Sequence, residues 1–282
     1  MPDKIKSLQG RLYNLSKERN RPFQLVLNQF GAEQFLERLS LSTYAKKFIF
    51  KGGTLLTYLI ETDRKTKDLD FSIKELGNQV DDLLKVIQQI MEVSIDDGLT
   101  WDKLEGSPLN HPEMDYPGAR IKCPFRLGNM KGFVRMDLAL GDIVEAAFIP
   151  LQKLKYRGEP LAGKDFKILS YPPETIFSEK YQTAVSRGAD NTRMKDFYDL
   201  HKLCLSGSLN SKKLKRSLEA TFKNRKTPVV TELQWSSRDL GRIQIFWAAY
   251  LKKEDLEDAP KKVEEIIAVI NTELKEVFSK DL

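Results

Sequence analysis

Two aspartates spaced one residue apart, Asp68 and Asp70, follow the glycine turn Lys51-Gly52-Gly53-Thr54. On an extended chain, side chains alternate between faces, so carboxylates at i and i+2 project the same way. That arrangement suits two magnesium ions with a nucleoside triphosphate between them. One ion would lower the pKa of an attacking hydroxyl, and the other would neutralise the triphosphate and the departing pyrophosphate. A third metal ligand is expected from a neighbouring strand. Asp137 fits, as a lone carboxylate between Met136 and Leu138 in the apolar run Val134 to Leu140. Gly52 and Gly53 let the backbone approach phosphates closely, a following helix N-terminus offers free N–H groups, and Thr54 can add its hydroxyl. Singly, a Gly-Gly turn is an ordinary turn and an Asp-x-Asp pair an exposed strand edge. It is the ordered set that points to chemistry.

The elements needed to position these groups can be read from hydrophobic spacing. Residues from about Lys4 to Leu39 carry apolar positions at helical spacing, broken near Arg21-Pro22, so two helices lead the chain. Lys47 to Lys51 reads as a strand stopped by Gly52-Gly53, after which Thr54 can cap a helix through roughly Glu61. Leu69 to Ile73 reads as a second strand, with Leu69, Phe71 and Ile73 on one face and Asp68, Asp70 and Ser72 on the other. Asn78 to Ser94 is an amphipathic helix that should cover the sheet. Ala119 to Leu127 and Gly132 to Leu140 are strands joined by the turn Gly128-Asn129-Met130-Lys131, and Phe133, Arg135 and Asp137 share one face of the second. After Pro172 the pattern is helical: about Glu174 to Ser186, Met194 to Leu205, Lys212 to Phe222, Asp239 to Lys252 and Pro260 to Phe278. A domain boundary falls near Ser170, giving domains 1–170 and 171–282 and an α+β class: a small mixed sheet covered by helices, then a mainly α-helical C-terminal domain.

Composition narrows the class. With 41% hydrophobic and 30% charged residues, the 282-residue chain is that of a globular protein with length enough for a large core. Forty-six Lys and Arg against 40 Asp and Glu leave +6, which suits a polyanionic partner without requiring one. Cys123 and Cys204 have no metal-ligand spacing, which points to a reduced, cytoplasmic protein without zinc. The N-terminal residues lack the apolar core of a signal peptide, and no stretch approaches the roughly 20 apolar residues of a membrane span. A monomer is the default expectation, since no exposed apolar heptad is visible.

At this point the sequence resembles the nucleotidyltransferases of DNA polymerase beta type and, within them, the AbiEii/AbiGii-type toxins of bacterial toxin–antitoxin, phage-defence systems. The resemblance rests on Phe50-Lys51-Gly52-Gly53-Thr54, on Arg64 through Asp68-Leu69-Asp70-Phe71, on Met136-Asp137-Leu138-Ala139-Leu140-Gly141-Asp142, and on Ser178-Glu179-Lys180 through Arg187-Gly188 to Arg193-Met194-Lys195-Asp196-Phe197-Tyr198-Asp199-Leu200. It spans about Arg11 to Leu205, and the last block is its most specific part. It implies transfer of a nucleotide from a nucleoside triphosphate to RNA, with tRNA as the expected acceptor, two Mg2+ ions, and a separate antitoxin or regulator encoded nearby. It further implies that Lys180 binds the triphosphate and that Asp196 is needed for activity.

The residues agree in part. Lys180, Thr183 and Arg187 fall on one helical face opposite Phe177, Tyr181 and Val185, so a basic stripe could point at the metal site. Asp196 and Asp199 share a face, with Phe197, Leu200 and Cys204 packing inward; an ion-pair network between two helices is the other reading of that pair. Lys51, Gly52, Gly53, Thr54, Lys180 and Arg187 are thus the nucleotide-binding candidates, Asp68, Asp70, Lys180 and Asp196 the catalytic ones, and Asp68, Asp70 and Asp137 the metal ligands. Arg64 and Lys67 could steer phosphate, and the run Lys212, Lys213, Lys215, Arg216, Lys223, Arg225, Lys226 could contact an RNA backbone or form a solvated helix face. His111 and His201 show no base–nucleophile arrangement. A small-molecule or protein acceptor, or a non-enzymatic binding module of the same fold, are the competing readings; the intact set of three acidic residues argues against the last.

Overall fold

The computed structural model describes residues 2–60, 62, 66–77, 79–109, 118–140, 145–256 and 259–279. Arg64, His111 and Gly141-Asp142 lie outside them. The chain divides into two compact units, one of Met1–Leu55 and Thr66–Ser170, the other of Leu56–Lys65 and Tyr171–Leu282. In chain order the elements are α1 (Pro2–Glu18), α2 (Phe23–Leu41), β1 (Phe48–Lys51), α3 (Gly52–Leu59), β2 (Asp68–Ile73), α4 (Val80–Met91), β3 (Leu99–Trp101), β4 (Glu105–Leu109), β5 (Gly118–Leu127), β6 (Met130–Leu140), β7 (Ala147–Leu151), β8 (Lys155–Tyr156), β9 (Glu159–Pro160) and β10 (Phe166–Ser170). The helices α5 (Pro173–Arg187), α6 (Met194–Leu205), α7 (Ser211–Asn224), α8 (Ser237–Glu254) and α9 (Val263–Ser279) follow. The α+β class expected from the sequence is the class observed.

In the first unit, the sheet runs β3-β5-β6-β2-β1-β10-β7, with β4 paired to the outer side of β5 and β8-β9 as a separate ribbon. It is mixed because β2 pairs β6 and β1 pairs β10 in parallel, while the other pairs are antiparallel. The alternation in β2 decides which way its carboxylates point. Phe71 is fully buried and its ring meets those of Phe35 on α2, Phe48 and Phe50 at centroid distances of 6.4, 5.6 and 5.3 Å. Leu69 and Ile73 share that buried side, and with the apolar face committed to α2, Asp68 and Asp70 are left on the opposite one. Ser72, on the same face as the aspartates, is itself only 1% exposed.

The β5–β6 hairpin is tighter than the four-residue turn expected: Leu127 pairs Met130, so Gly128-Asn129 alone makes the reversal. Gly128 adopts φ +59, a value that a glycine at the first position of a two-residue hairpin supplies without strain. The strands β3, β4, β7 and β10 were not legible in advance. The outer β4 is almost wholly exposed and contains Gly106 and Pro108, whereas in β10 the successive residues Ile168, Leu169 and Ser170 are all buried between β1 and β7; neither gives the alternation that marks a one-sided strand.

In the second unit the five helices match the expected segments to within a few residues, and α6 is Met194–Leu205 as read from the sequence. The rings of Phe177 and Tyr181 stack at 6.0 Å, and Tyr181 meets Phe222 of α7 at 5.9 Å. Val263, Ile266, Ile270, Leu274 and Val277 of α9 form the buried stripe expected of it. Asn210 and Ser236 cap α7 and α8 by accepting from the backbone N–H of Lys213 and Asp239.

His201 lies on the buried side of α6, 6% exposed, with Nδ1 lacking a hydrogen-bond partner. Burial, aided by the Lys202 charge and opposed by Glu265, lowers its pKa below the ordinary 6.5. The unfolded chain therefore binds this proton more readily than the folded one, and stability must fall as pH drops below about 6.5. Thermal unfolding followed from pH 7.5 to pH 5 should show that loss in the wild type and a smaller one in His201→Leu; equal slopes would refute the assignment.

Candidate active site

The parallel pairing of β2 with β6 places Asp70 directly opposite Asp137 and Asp68 opposite Arg135. Extending the registers across neighbouring strands gives two charged rows on one face. The first runs Lys51, Asp70, Asp137, Arg120 over β1, β2, β6 and β5; the second runs Asp68, Arg135, Lys122, Glu105 over β2, β6, β5 and β4. Two like charges meet at Asp70 and Asp137, an unfavourable pairing that Lys51 and Arg120 flank from either side.

Arg120 is the residue the sequence reading missed. Its Nε and Nη2 donate to the two oxygens of Asp137, both at 2.7 Å, a bidentate clamp. That bond raises the Arg120 pKa above its ordinary value, against a smaller lowering by burial, and the charges of Asp137, Asp68 and Asp70 add to the rise. Arg135 reaches Asp68 at 3.5 Å, at the limit of a hydrogen bond. Lys122 bonds Glu105 at 3.1 and 3.2 Å.

Gly52 and Thr54 have structural roles more definite than those expected. Gly52 adopts φ +77, and a Cβ there would lie 2.0 Å from Asp70 Oδ2. Glycine is therefore required twice, by the left-handed backbone and by the aspartate against it. Thr54 does not cap the helix. Helix α3 begins at Gly52, so Thr54 lies in its first turn and its hydroxyl donates to the backbone carbonyl of Asp68 at 2.6 Å, tying α3 to β2. Gly52→Ala should cost roughly 1–2 kcal/mol from the backbone alone, displace Asp70, and lower activity more than stability; urea unfolding and an activity assay on one preparation would separate the two effects, and unchanged activity would count against the role.

Asp68, Asp70 and Asp137 are hard oxygen donors of the kind magnesium takes. Among the described residues, no group of three or more acidic, His or Cys side chains converges closely enough to hold an ion. Asp137 is instead turned to Arg120, whose guanidinium brings positive charge to the acidic row. The donor set fits a divalent cation in kind, with Arg120 and Arg135 as its stand-in counter-charge.

In the second unit, Lys180 of α5 lies between two buried carboxylates of α6, with Nζ 2.7 Å from Asp196 Oδ1 and 2.8 Å from Asp199 Oδ2. Arg193 Nε adds a bond to Asp196 Oδ2 at 2.6 Å. Burial works to raise the Asp196 carboxyl, but the charges and hydrogen bonds of Lys180 and Arg193 outweigh it and hold the pKa well below the usual carboxylate range. The stability this group contributes is complete above about pH 4 and is lost as pH falls through the depressed folded value. Asn191, fully buried, accepts from the Arg193 backbone N–H at 2.8 Å and orients the entry to α6.

The expected basic stripe on α5 is not continuous. Thr183 is buried and accepts from Arg225, which also donates to Gln182, so Thr183 packs under α7 and Arg225 leaves the basic run to serve as a tie. Arg187 ends α5, where Gly188 at φ +54 closes the helix. Lys67, Lys212, Lys213, Arg216, Lys223 and Lys226 are exposed. Both cysteines are free, and burial raises their thiols, Cys204 to about 12, which removes them as nucleophiles at neutral pH.

This mixed sheet and helical unit are similar in fold to solved nucleotidyltransferases. MenT4, a nucleotidyltransferase toxin from Mycobacterium tuberculosis, superposes with a TM-score of 0.52 at 14% identity, covering 96% of this chain and 97% of that one. A crystal structure from H. pylori, designated a nucleotidyltransferase, gives 0.50 at 14% identity over 89% of this chain and 95% of the other. No curated protein matches the sequence significantly. The profile of the family described as "Nucleotidyl transferase AbiEii toxin, Type IV TA system" matches residues 34–269, and the chain belongs to that family. It is accordingly a toxin-type nucleotidyltransferase, for which a nucleoside triphosphate donor and an antitoxin counterpart are implied. No helix among the described residues is long and apolar enough to cross a membrane.

Proposed function

We propose that this protein transfers a nucleotide from a nucleoside triphosphate to RNA, with tRNA as the acceptor, and that it acts in the cytoplasm as a phage-defence toxin restrained by an antitoxin encoded nearby. The observation that carries the reading is the register of Asp70 with Asp137 beside Asp68, which gathers three carboxylates on one face next to a glycine turn. Asp68, Asp70 and Asp137 would hold two magnesium ions, which supply charge neutralisation at the triphosphate and a lowered pKa at the acceptor hydroxyl. Lys51, standing beside Asp70, and the backbone of Gly52 and Gly53 bind phosphate oxygens, and Lys180 and Arg187 carry further positive charge for the triphosphate. Asp196 holds Lys180 in place and charged. Arg120, which holds Asp137 through two hydrogen bonds, would be available to a phosphate oxygen were Asp137 to serve as a metal ligand.

An RNA acceptor is favoured by the exposed Lys212, Lys213, Arg216 and Lys223 on α7, which offer backbone phosphates a row of cations. The test is incubation of the purified chain with Mg2+, each labelled nucleoside triphosphate in turn, and total tRNA. Label should appear in RNA with at least one nucleotide and disappear with chelator; no transfer to tRNA, or transfer to protein or a small molecule instead, would overturn the acceptor.

A further inference from the structure

The outward face of the β5–β6 hairpin continues past the carboxylates. Ile121, Cys123 and Phe125 of β5 and Val134, Met136 and Leu138 of β6 are buried, so the residues alternating with them lie on the other face. Beyond the row that pairs Asp137 with Arg120, the register sets Lys122 opposite Arg135, Pro124 opposite Phe133, and Arg126 opposite Lys131. On the hairpin, an apolar row thus lies between two rows made only of cations. Strand β2 begins at Asp68, opposite Arg135, so the last two rows extend past its end.

Like charges directly opposite one another destabilise a hairpin, and here such a pair occurs twice on one face. Asp68, Glu105 and Asp102, at the margins, offset part of the repulsion by pairing with Arg135, Lys122 and Arg126. Those cations remain open to solvent, their side chains 37%, 39% and 52% exposed, and ion pairs of this exposed kind hold their members weakly. Phe133 is half-buried on the same face, an aromatic ring on the side away from the core. The Arg135 guanidinium lies 5.4 Å from its centroid and the Lys122 ammonium 5.8 Å. The Phe133 backbone N–H donates to Asn28 Oδ1 at 3.1 Å, and Gln24 Nε2 donates to the same oxygen at 2.9 Å, which anchors β6 where β2 no longer pairs with it.

We propose that this face is the track for the single-stranded end of an RNA acceptor, with a base stacked on Phe133 and the phosphates on either side of it held by Lys122 with Arg135 and by Arg126 with Lys131. Single strands are gripped by aromatic rings that stack their bases and by cations that follow their backbone, and the row order of cations, ring and cations repeats that chemistry. A duplex end offers the ring no unstacked base. The place in the fold agrees. Lys51 and Gly52 stand at the β1 end of the row Lys51, Asp70, Asp137, Arg120, so pyrophosphate leaves toward β1. Attacking and leaving oxygens lie in line, which brings the acceptor in from the β6–β5 end, where the track begins. Phe133 lies about 13 Å along β6 from Asp137, at roughly 3.3 Å per residue, close behind a reacting hydroxyl held there. The inference rests on the RNA-acceptor reading and specifies how that RNA lies.

The test is fluorescence anisotropy of the full chain with a labelled single-stranded oligoribonucleotide and with a blunt RNA hairpin, in the absence of nucleoside triphosphate. The single strand should bind about tenfold more tightly than the hairpin. Phe133→Ala should weaken single-strand binding by about tenfold, the loss of one stacked base, while Phe133→Tyr keeps it to within about twofold. Arg126→Gln and Lys131→Gln should each reduce the slope of log affinity against log salt by about 0.7, as expected for one phosphate contact. Equal binding of hairpin and single strand, wild-type binding by Phe133→Ala, or equal losses in Phe133→Ala and Phe133→Tyr overturns the proposal. Where Phe133→Ala folds poorly, the two variants of exposed residues decide, and an unchanged salt slope in both overturns it. A chain that labels no tRNA can pass this assay and one that labels tRNA can fail it, so the track and the transfer reaction stand or fall separately.

Discussion

Asp70→Asn is expected to lower nucleotide transfer by roughly 10³-fold or more, about 4 kcal/mol at the transition state, while leaving stability unchanged to within about 1 kcal/mol. The substitution keeps the shape of the side chain and the alternation of β2, so Phe71 stays among Phe35, Phe48 and Phe50. What it removes is one of two facing negative charges, since Asp70 stands directly opposite Asp137. Losing that repulsion offsets the loss of attraction to Lys51 on the other side. A stabilising residue would show both quantities falling together; here activity falls alone. Transfer to tRNA, measured beside urea unfolding of the same preparation, checks both, and retained activity would remove Asp70 from the site.

Lys180→Ala should do the opposite and strike stability first, by about 3–5 kcal/mol. Removing the lysine takes a cation from between Asp196 and Asp199, whose side chains are 1% and 0% exposed. Taking one member out of a buried ion-pair network costs far more than the intact network contributes, so the loss does not measure the worth of the ion pair. The informative comparison is the triple variant Lys180→Met, Asp196→Asn, Asp199→Asn, which removes the lysine and both buried carboxylates together. Stability should recover in it, and nucleotide transfer should not. If transfer recovers as well, Lys180 serves only to join α5 and α6.

Much of this was legible in the sequence because alternation and helical spacing are local signals. The face on which Asp68 and Asp70 lie follows from Leu69, Phe71 and Ile73 between and beyond them, and the five C-terminal helices follow from their apolar stripes. Register across strands is not local, and there the reading failed. A four-residue turn at 128–131 pairs Leu127 with Gly132 and puts Asp137 opposite Lys122; the observed two-residue turn puts Arg120 there instead. Arg120 therefore escaped notice, although Gly128-Asn129 carried the signal for the tighter turn. Burial of charge was equally hidden. Asp196 and Asp199 read as a polar face of α6, and only packing shows that this face is interior, with Lys180 inside as well. Thr183 and Arg225 misled for the same reason: helical spacing put Thr183 on a stripe pointing at the metal site and Arg225 in a basic run, and tertiary bonding joined the two instead.

The parallel pairing of β2 with β6 constrains how this chain can vary over evolutionary time. Between the two strands, segments can lengthen or shorten with little energetic penalty, because loop closure depends only weakly on length. Inside β6 the tolerance vanishes: one residue gained or lost between Arg135 and Asp137 would rotate the carboxylate into the core and bring an apolar side chain out beside Asp70. Homologues should thus differ freely in the distance from Asp70 to Asp137 while admitting no single-residue indels within the strand that carries it.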